Sequence, residues 1–157
     1  MLFRSGVEWK SHKYSDMETG KGELLLEGTE VAVICAGPVA NRAVEAALNL
    51  KEETGWNPSV YNIRYVKPLD AELLADACEK HDRLITIEDG TLVGGLYGAV
   101  SESVASMNKN LQVRGVGIPD QYISQGTQLE LRAECNLTTE AIFDIFVAES
   151  EKISKKD

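Results

Sequence analysis

The sequence predicts an α/β domain in which helices cover both faces of a mostly parallel β-sheet. Short apolar runs with the composition of strands alternate with longer stretches whose apolar residues recur at helical spacing. The run Val31–Ala36 is apolar at every position, which is typical of a strand buried on both faces. Four strands separated by helices need right-handed crossovers, and such crossovers produce a mostly parallel sheet.

Length, composition and charge narrow the class of protein. The 157 residues are too few for two cores, and 43% of them are hydrophobic, which is sufficient for one core. We expect residues 1–21, which lack periodicity, to form an interdomain linker and residues 22–157 to form the domain. The net charge of -9 repels nucleic acid and anionic membranes. Since the sequence lacks a signal peptide and an apolar run of the ~18 residues that a membrane span needs, we expect a cytoplasmic protein.

The first part of the domain is predicted to contain two strands and a helix. The short connection between the strand Glu23–Leu26 and the strand Val31–Ala36 allows an antiparallel hairpin. Pro38 fits the first turn of the following helix, where its missing N–H costs nothing, and Gly55 can end that helix. The apolar stripe of this helix consists of Ala43, Ala46, Ala47 and Leu50.

The central part is predicted to continue with two more strands and two more helices. A strand is expected over residues 59–64, and Asp70 is placed to cap the helix that carries Leu73, Leu74 and Ala77. The next strand is expected over residues 83–88. Glycines at 94 and 95 precede a helix that runs to about Met107.

The C-terminal part is predicted to hold the last strand and two helices. The strand is expected over residues 111–118, and Thr127–Glu130 has the pattern of a capping box. Asn136 stands where a left-handed helix end is needed, and Thr138 can cap the final helix. The buried stripe of that helix is expected to be Ile142, Ile145 and Phe146.

The cysteines and histidines give no indication of a metal site or a nucleophile. Cys35, Cys78 and Cys135 are odd in number and widely spaced, so we expect three small buried side chains rather than a disulfide framework or a zinc site. His12 lies in the leader, and His81 follows a helix, where a cation is favourable. Neither histidine has a local Ser or Cys partner for a catalytic triad.

The candidate site lies at the carboxyl ends of the strands, where open α/β sheets bind their ligands. Arg64 is the most informative residue there, because a guanidinium beside a proline-fixed turn suits bidentate contact with a phosphate or carboxylate. The alternative is an internal ion pair with Asp70 or Glu88. The segments that leave these strand ends are Ala36–Pro38, Arg64–Val66, Glu88–Gly90 and Gly117–Asp120.

Two further features at these strand ends have a structural explanation. Glu88 and Asp89 are neighbours on a strand and point to opposite faces, which argues against a metal site and favours solvation or pairing with Arg or Lys. Gly94–Gly95 could offer N–H groups to an anion, but glycines at a helix start more often allow close packing. The sequence also lacks a P-loop, a dinucleotide fingerprint, a helical His pair and a nucleophile elbow, so it has no self-contained active site.

Three strings carry a resemblance to a known family. In order and spacing they resemble the C-terminal domain of the 1-deoxy-D-xylulose-5-phosphate synthases, which are transketolase-like, thiamine-diphosphate-dependent enzymes. The resemblance covers Gly20 to about Val147, and Trp9–Lys10 resembles the linker before this domain. The strings are Asn62–Asp70, then Thr86–Gly90 with Gly94–Gly95, then Gly117–Ile123 with Gly126–Thr127.

The sequence departs from the family pattern at a few positions. Tyr65 and Tyr122 stand where Phe is commoner, which changes the packing little. In Gly94–Gly98 the third glycine is displaced by one position, which puts a tight backbone approach at that glycine in doubt. Asn136 replaces a usual glycine at a helix end, and Asn is the next best residue there.

The resemblance implies a three-layer α/β/α fold with a five-stranded sheet whose first strand, near Glu23–Leu26, is antiparallel to the rest. It implies an enzyme that condenses pyruvate with D-glyceraldehyde 3-phosphate with loss of CO2, and that works as a homodimer. Thiamine diphosphate and Mg2+ would be bound by N-terminal domains absent from this chain, so we expect the fragment to bind no cofactor or metal and to be inactive alone.

One residue of this domain matches a known site residue of the family. Arg64 matches an arginine that clamps the phosphate of the acceptor substrate, so it is a substrate-binding residue, and no catalytic residue is expected in the fragment. Glu88, Gly94 and Asp120 match positions with structural or interface roles. Two alternatives remain: the corresponding domain of a 2-oxoacid dehydrogenase E1 beta subunit or a transketolase, and a non-catalytic interaction or small-anion-binding module.

Overall fold

The computed structural model describes residues 17–154, which form five strands and five helices. The linker expected over residues 1–21 therefore falls mostly outside the described residues, as do Trp9, Lys10 and His12. The strands are β1 (Glu23–Leu26), β2 (Ala32–Ala36), β3 (Ser59–Asn62), β4 (Arg83–Thr91) and β5 (Gln112–Ile118). The helices are α1 (Val39–Thr54), α2 (Ala71–Lys80), α3 (Leu96–Ser106), α4 (Gln128–Glu134) and α5 (Thr139–Ser154).

The strands form one mixed sheet in the order β1-β3-β2-β4-β5. The strands β3, β2, β4 and β5 are parallel, and β1 is antiparallel to its neighbour β3. The five-stranded sheet with an antiparallel first strand, expected from the family resemblance, is confirmed.

The predicted hairpin between the first two strands is wrong. Both edges of β2 are taken by its parallel neighbours β3 and β4, so β1 pairs with β3 at the edge of the sheet. The connection is held against the start of β3: Gly28 N donates to Ser59 Oγ at 2.9 Å, and Thr29 N donates to Asn57 O at 2.8 Å. A Cβ at Gly28 would lie 2.2 Å from the Asn57 oxygen, so this close contact requires glycine.

Helices cover both faces of the sheet and enclose two apolar clusters. On β2, Val33 and Cys35 face the cluster under α1 and α5, whereas Ala32 and Ile34 face the cluster under α2 and α3. All four side chains are fully buried. A strand covered on both faces has no solvent side, which is why its sequence is apolar at every position.

Most of the predicted helix ends are confirmed. The Asp70 carboxylate accepts from Leu73 N at the start of α2, and Thr127 and Glu130 form the capping box of α4. Gly55 has a φ of 80° at the end of α1, and Asn136 has a φ of 57° after α4. Thr138 Oγ1 accepts from Ala141 N at the start of α5. Side-chain caps of this kind depend on nearby residues, so the sequence predicts them well.

The predicted cysteine environments are confirmed, but the expectation for His81 is not. Cys35, Cys78 and Cys135 are buried and free. His81 follows α2 as predicted, yet it is buried, and this burial lowers the pKa of its ring below the usual value. At neutral pH the ring is therefore uncharged and supplies no cation to the helix end. Among residues 17–154 no helix is long and apolar enough to cross a membrane.

Candidate functional site

The four segments selected from the sequence lie along one edge of the sheet. The register of the parallel strands places Cys35 opposite Asn62 on one side and Ile87 on the other, and Ala36 pairs with Glu88. The carboxyl ends of β3, β2 and β4 are therefore level, and β5 ends beside β4. We refer to this side of the sheet as the carboxyl edge.

Arg64 lies just beyond β3, with its backbone in the left-handed region at a φ of 57°. Its backbone N–H donates to Asn62 Oδ1 at 3.2 Å. Its guanidinium makes a two-point contact with Glu23: Nε donates to Oε1 at 3.2 Å, and Nη2 contacts Oε2. Asn62 Nδ2 also donates to Glu23 Oε1, at 3.3 Å.

The alternative pairing of Arg64 with Asp70 or Glu88 is therefore wrong, because Glu23 is its partner. Glu23 lies on β1 directly opposite Asn62, and the antiparallel pairing brings it beside the turn that follows β3. The Arg64 side chain is 24% exposed and the Glu23 side chain 39% exposed, so the pair is open to solvent on one side. The residues around Glu23 do not predict its contact with Arg64, which is 41 residues away in the sequence.

Asp70 is committed to backbone contacts. Its buried carboxylate accepts from Gly22 N at 2.9 Å and from Leu73 N at 3.1 Å. Burial raises the pKa of this carboxyl, but the two N–H groups and the nearby Lys21 ammonium together hold the pKa below its ordinary value. Asp70 thus joins the start of α2 to the residue just before the edge strand β1, and it remains ionised at neutral pH.

Glu88 has a structural role, as the family resemblance allowed, but its partners were not predicted from the sequence. It is buried, and its two carboxylate oxygens accept from Leu96 N at 2.8 Å and Tyr97 N at 3.0 Å at the start of α3. The expectation that Glu88 is solvated or paired with a basic residue is wrong, since its partners are backbone N–H groups at the positive end of a helix. This carboxylate occupies the anion position that the Gly94–Gly95 turn offers.

Gly95 serves close packing, as the sequence indicated for this turn, whereas Gly94 has a φ of 77° and open space where a Cβ would lie. A Cβ at Gly95 would lie 2.1 Å from Glu88 Oε2 and 2.2 Å from the carbonyl oxygen of Thr91. Gly117 is similarly enclosed, because a Cβ there would lie 2.9 Å from Glu88 Cγ. These glycines allow the end of β5 and the start of α3 to close around Glu88.

Asp89 is paired with two arginines, in agreement with the sequence-based expectation for adjacent carboxylates. Arg42 Nη2 on α1 lies 3.8 Å from Asp89 Oδ2, and Arg132 Nη2 on α4 donates to the same oxygen at 3.4 Å. Burial and the Arg132 charge lower the pKa of Arg42, and Asp89 opposes this shift. The sequence did not single out either arginine, because both reach Asp89 from distant helices.

The carboxyl edge therefore supplies cations and buried, committed carboxylates. Within the described part of the chain no three or more His, Cys, Asp or Glu side chains come together as metal ligands. Asp120 lies exposed beyond β5, and Tyr122 is fully exposed.

Residues 20–142 match the family model described as "Transketolase, C-terminal domain". The chain belongs to this family. The number and direction of the strands of this transketolase C-terminal domain are those expected from the resemblance. A solved structure described as "Split gene transketolase, inactive beta4 tetramer" superposes with a TM-score of 0.81 at 30% identity, covering 90% of this chain and 46% of that chain.

Curated relatives with this domain carry the name of a specific synthase. The 1-deoxy-D-xylulose-5-phosphate synthase of Phocaeicola vulgatus is 34% identical over 142 residues, which cover 90% of this chain and 22% of the synthase. The enzyme of that name from Nitratidesulfovibrio vulgaris is 40% identical over 130 residues, which cover 82% of this chain and 20% of the synthase. The chain spans about a fifth of the length of the curated relatives it matches.

Proposed function

We propose that this chain is the C-terminal domain of a 1-deoxy-D-xylulose-5-phosphate synthase, a transferase that condenses pyruvate with D-glyceraldehyde 3-phosphate and releases CO2. The observation that carries the proposal is the identity of 34% and 40% to synthases of that name over most of this chain. The product would enter isoprenoid and thiamine biosynthesis. The whole enzyme would be a cytoplasmic homodimer.

The remaining domains of the enzyme would bind thiamine diphosphate and Mg2+, and the cofactor would supply the decarboxylation chemistry. Residues 22–157 would form the C-terminal domain, and residues 1–21 the linker from the preceding domain. The chain alone would be inactive. This is supported by the fraction of each synthase that the chain spans and by the description of the split-gene transketolase chain as an inactive tetramer.

The role proposed for Arg64 is to hold the phosphate of D-glyceraldehyde 3-phosphate. Its position at the carboxyl edge and its partly exposed guanidinium support this role. The contact with Glu23 uses Nε and Nη2 and fixes the plane of the guanidinium, and Nη1 would contact an oxygen of the phosphate. Glu23 would therefore orient the clamp, while Arg64 would bind the substrate.

Steady-state kinetics of the full-length enzyme test this role. Arg64→Ala is expected to raise the KM for D-glyceraldehyde 3-phosphate by about tenfold or more, because a charge-assisted contact is lost, and to leave the KM for pyruvate unchanged. With unphosphorylated D-glyceraldehyde as acceptor, the variant and the wild type should have equal kcat/KM. Arg114→Ala, which removes a guanidinium that pairs with Glu149 on another part of the surface, is the control.

Two results would contradict the clamp role. Equal changes in KM for both substrates would place the effect of Arg64 in folding or assembly. A loss of activity of the same size with the unphosphorylated acceptor would show that Arg64 does not act on the phosphate.

The likeness to the split-gene transketolase supports a second candidate, the C-terminal domain of a transketolase. The two candidates differ in the donor substrate. A synthase would release CO2 from pyruvate in the presence of D-glyceraldehyde 3-phosphate, whereas a transketolase would transfer a two-carbon unit from a ketose phosphate without releasing CO2. Measuring CO2 release and ketose consumption in parallel on the full-length enzyme separates them.

A further inference from the structure

A second group of charged side chains lies at the carboxyl edge, on the side of β4 and β5. It consists of Arg42, Asp89 and Arg132, which we call the Arg–Asp–Arg cluster. Asp89 Oδ2 lies 3.8 Å from Arg42 Nη2 and 3.4 Å from Arg132 Nη2. Two guanidinium groups thus share one carboxylate, and the cluster carries a formal charge of one positive unit.

Several nitrogens of the cluster lack a hydrogen-bond partner among residues 17–154. These are Arg42 Nε, Arg42 Nη2 and Arg132 Nε, all of which are buried. Buried N–H donors without a partner are rare in folded proteins, because each costs free energy of desolvation that is not recovered. Both guanidiniums of the cluster therefore keep N–H groups that Asp89 does not satisfy.

A pocket of about 450 Å³ adjoins the cluster, and Asp89 and Arg132 form part of its wall. Most of the remaining wall is apolar, and it also includes a hydroxyl and an amide. The pocket therefore has a charged end, formed by Asp89 and Arg132, and an apolar body. The apolar side chains are Ile118, Ile123, Leu131 and Leu137, and the polar ones are Ser124 and Gln128.

We infer that this pocket binds a carboxylate carried on a short apolar body, with the carboxylate on the guanidinium of Arg132. One negative charge neutralises the excess positive charge of the cluster. A phosphate dianion would exceed it and would be repelled by Asp89. The apolar wall accepts the body of the ligand. Two sources share this chemistry: a free carboxylic acid, and an acidic side chain or C-terminus from another segment of the enzyme.

Titration of the 157-residue chain with hexanoate at constant ionic strength tests the inference, with backbone amide chemical shifts as the readout. Saturable shifts are expected in the pocket wall. Arg132→Gln should weaken binding about tenfold or more, and Asp89→Asn should strengthen it, since a competing negative charge is removed. Arg114→Gln makes the same charge change beside Glu149 and should leave the affinity unchanged.

A second variant covers the case in which Arg132→Gln disturbs α4. Leu131→Gln keeps the charge, alters the apolar wall, and should also weaken hexanoate binding. The dispersion of the amide spectrum reports whether each variant is folded. Hexanol and inorganic phosphate, titrated in parallel, should bind much more weakly than hexanoate.

The inference is overturned if the folded chain shows no saturable hexanoate binding, if Arg132→Gln binds as the wild type does, or if phosphate or hexanol binds as tightly as hexanoate. The source of the carboxylate follows from the same titration on the longer gene product that the proposed function requires. Binding to both proteins identifies a free ligand. Binding to the 157-residue chain alone identifies a carboxylate of the enzyme itself.

Discussion

Gly95 and Gly98 lie three residues apart at the start of α3, and we expect alanine to have opposite effects at the two positions. At Gly95 a Cβ would lie 2.1 Å from Glu88 Oε2 and 2.2 Å from the Thr91 carbonyl oxygen. The backbone oxygen cannot give way cheaply, so Glu88 must move and lose part of its contact with α3. At Gly98 a Cβ would have no heavy atom within 4 Å.

The size of each effect follows from these contacts. Gly95→Ala adds overpacking of about 1–3 kcal/mol and weakens a hydrogen bond to a charged group worth about 1.5–3 kcal/mol. We therefore expect a loss of about 3 kcal/mol in the free energy of unfolding. Gly98→Ala replaces glycine within a helix and should increase that free energy by about 1 kcal/mol.

Urea denaturation of the 157-residue chain, followed by far-UV circular dichroism, measures both changes. The two variants are matched, because they make the same chemical change at the start of the same helix, Gly95 just before α3 and Gly98 in its first turn. The reasoning about the Gly94–Gly95 turn fails if Gly95→Ala costs less than about 1 kcal/mol, a value typical of an ordinary substitution. A loss at Gly98 comparable with the loss at Gly95 would show that glycine is needed throughout this turn.

Three further stability measurements follow from the same structure. Glu88→Gln should lower the free energy of unfolding by about 2–4 kcal/mol, since it removes a charge-assisted hydrogen bond and the negative charge at the start of a helix. Glu102→Gln, at an exposed position of α3, is the control and should change that free energy by less than about 0.5 kcal/mol. Folding lowers the pKa of Asp70, so its ionised carboxylate stabilises the folded state at pH 6, and Asp70→Asn should show its full loss of stability there. This loss should disappear as the pH falls below 3.8 and through the folded-state pKa. A loss that is independent of pH would contradict this. Asn136 has a φ of 57°, so Asn136→Ala should cost about 1 kcal/mol and Asn136→Gly should cost nothing, and equal costs would refute the backbone explanation.

Features of the fold that depend on neighbouring residues could be predicted from the sequence. The cap at Asp70 and the capping box at Thr127–Glu130 each require partners within three residues. The left-handed residue Asn136 reflects the intrinsic tolerance of asparagine for that conformation. The apolar run of β2 predicted burial on both faces, because helices cover both sides of the sheet and every side chain of the strand packs against one of them.

Features that depend on tertiary pairing could not be predicted. The prediction of a hairpin was wrong because a four-residue connection permits a tight turn but does not require one. Both edges of β2 are occupied by β3 and β4. The partner of Arg64 is Glu23, which reaches it through the pairing of β1 with β3. Arg42 and Arg132 meet at Asp89 from two helices that are distant in sequence. Local patterns contain no information about such contacts.

The distribution of charge at the carboxyl edge limits what this domain contributes to a reaction. Glu88 and Asp70 accept backbone hydrogen bonds, and Glu23 and Asp89 are paired with arginines. A general acid or base must exchange its proton with the reacting molecule, and these four carboxylates are already engaged by donors of the protein itself.

The guanidiniums at this edge bind anions and do not transfer protons at neutral pH. In the proposed synthase the domain would therefore contribute substrate-binding energy, and the chemistry would take place on the cofactor held elsewhere. Substitutions at the carboxyl edge should then act on the KM of the phosphorylated acceptor, while the pH dependence of kcat stays that of the wild type. A shift in the kcat–pH profile of the Arg64→Ala enzyme would show instead that this edge takes part in proton transfer.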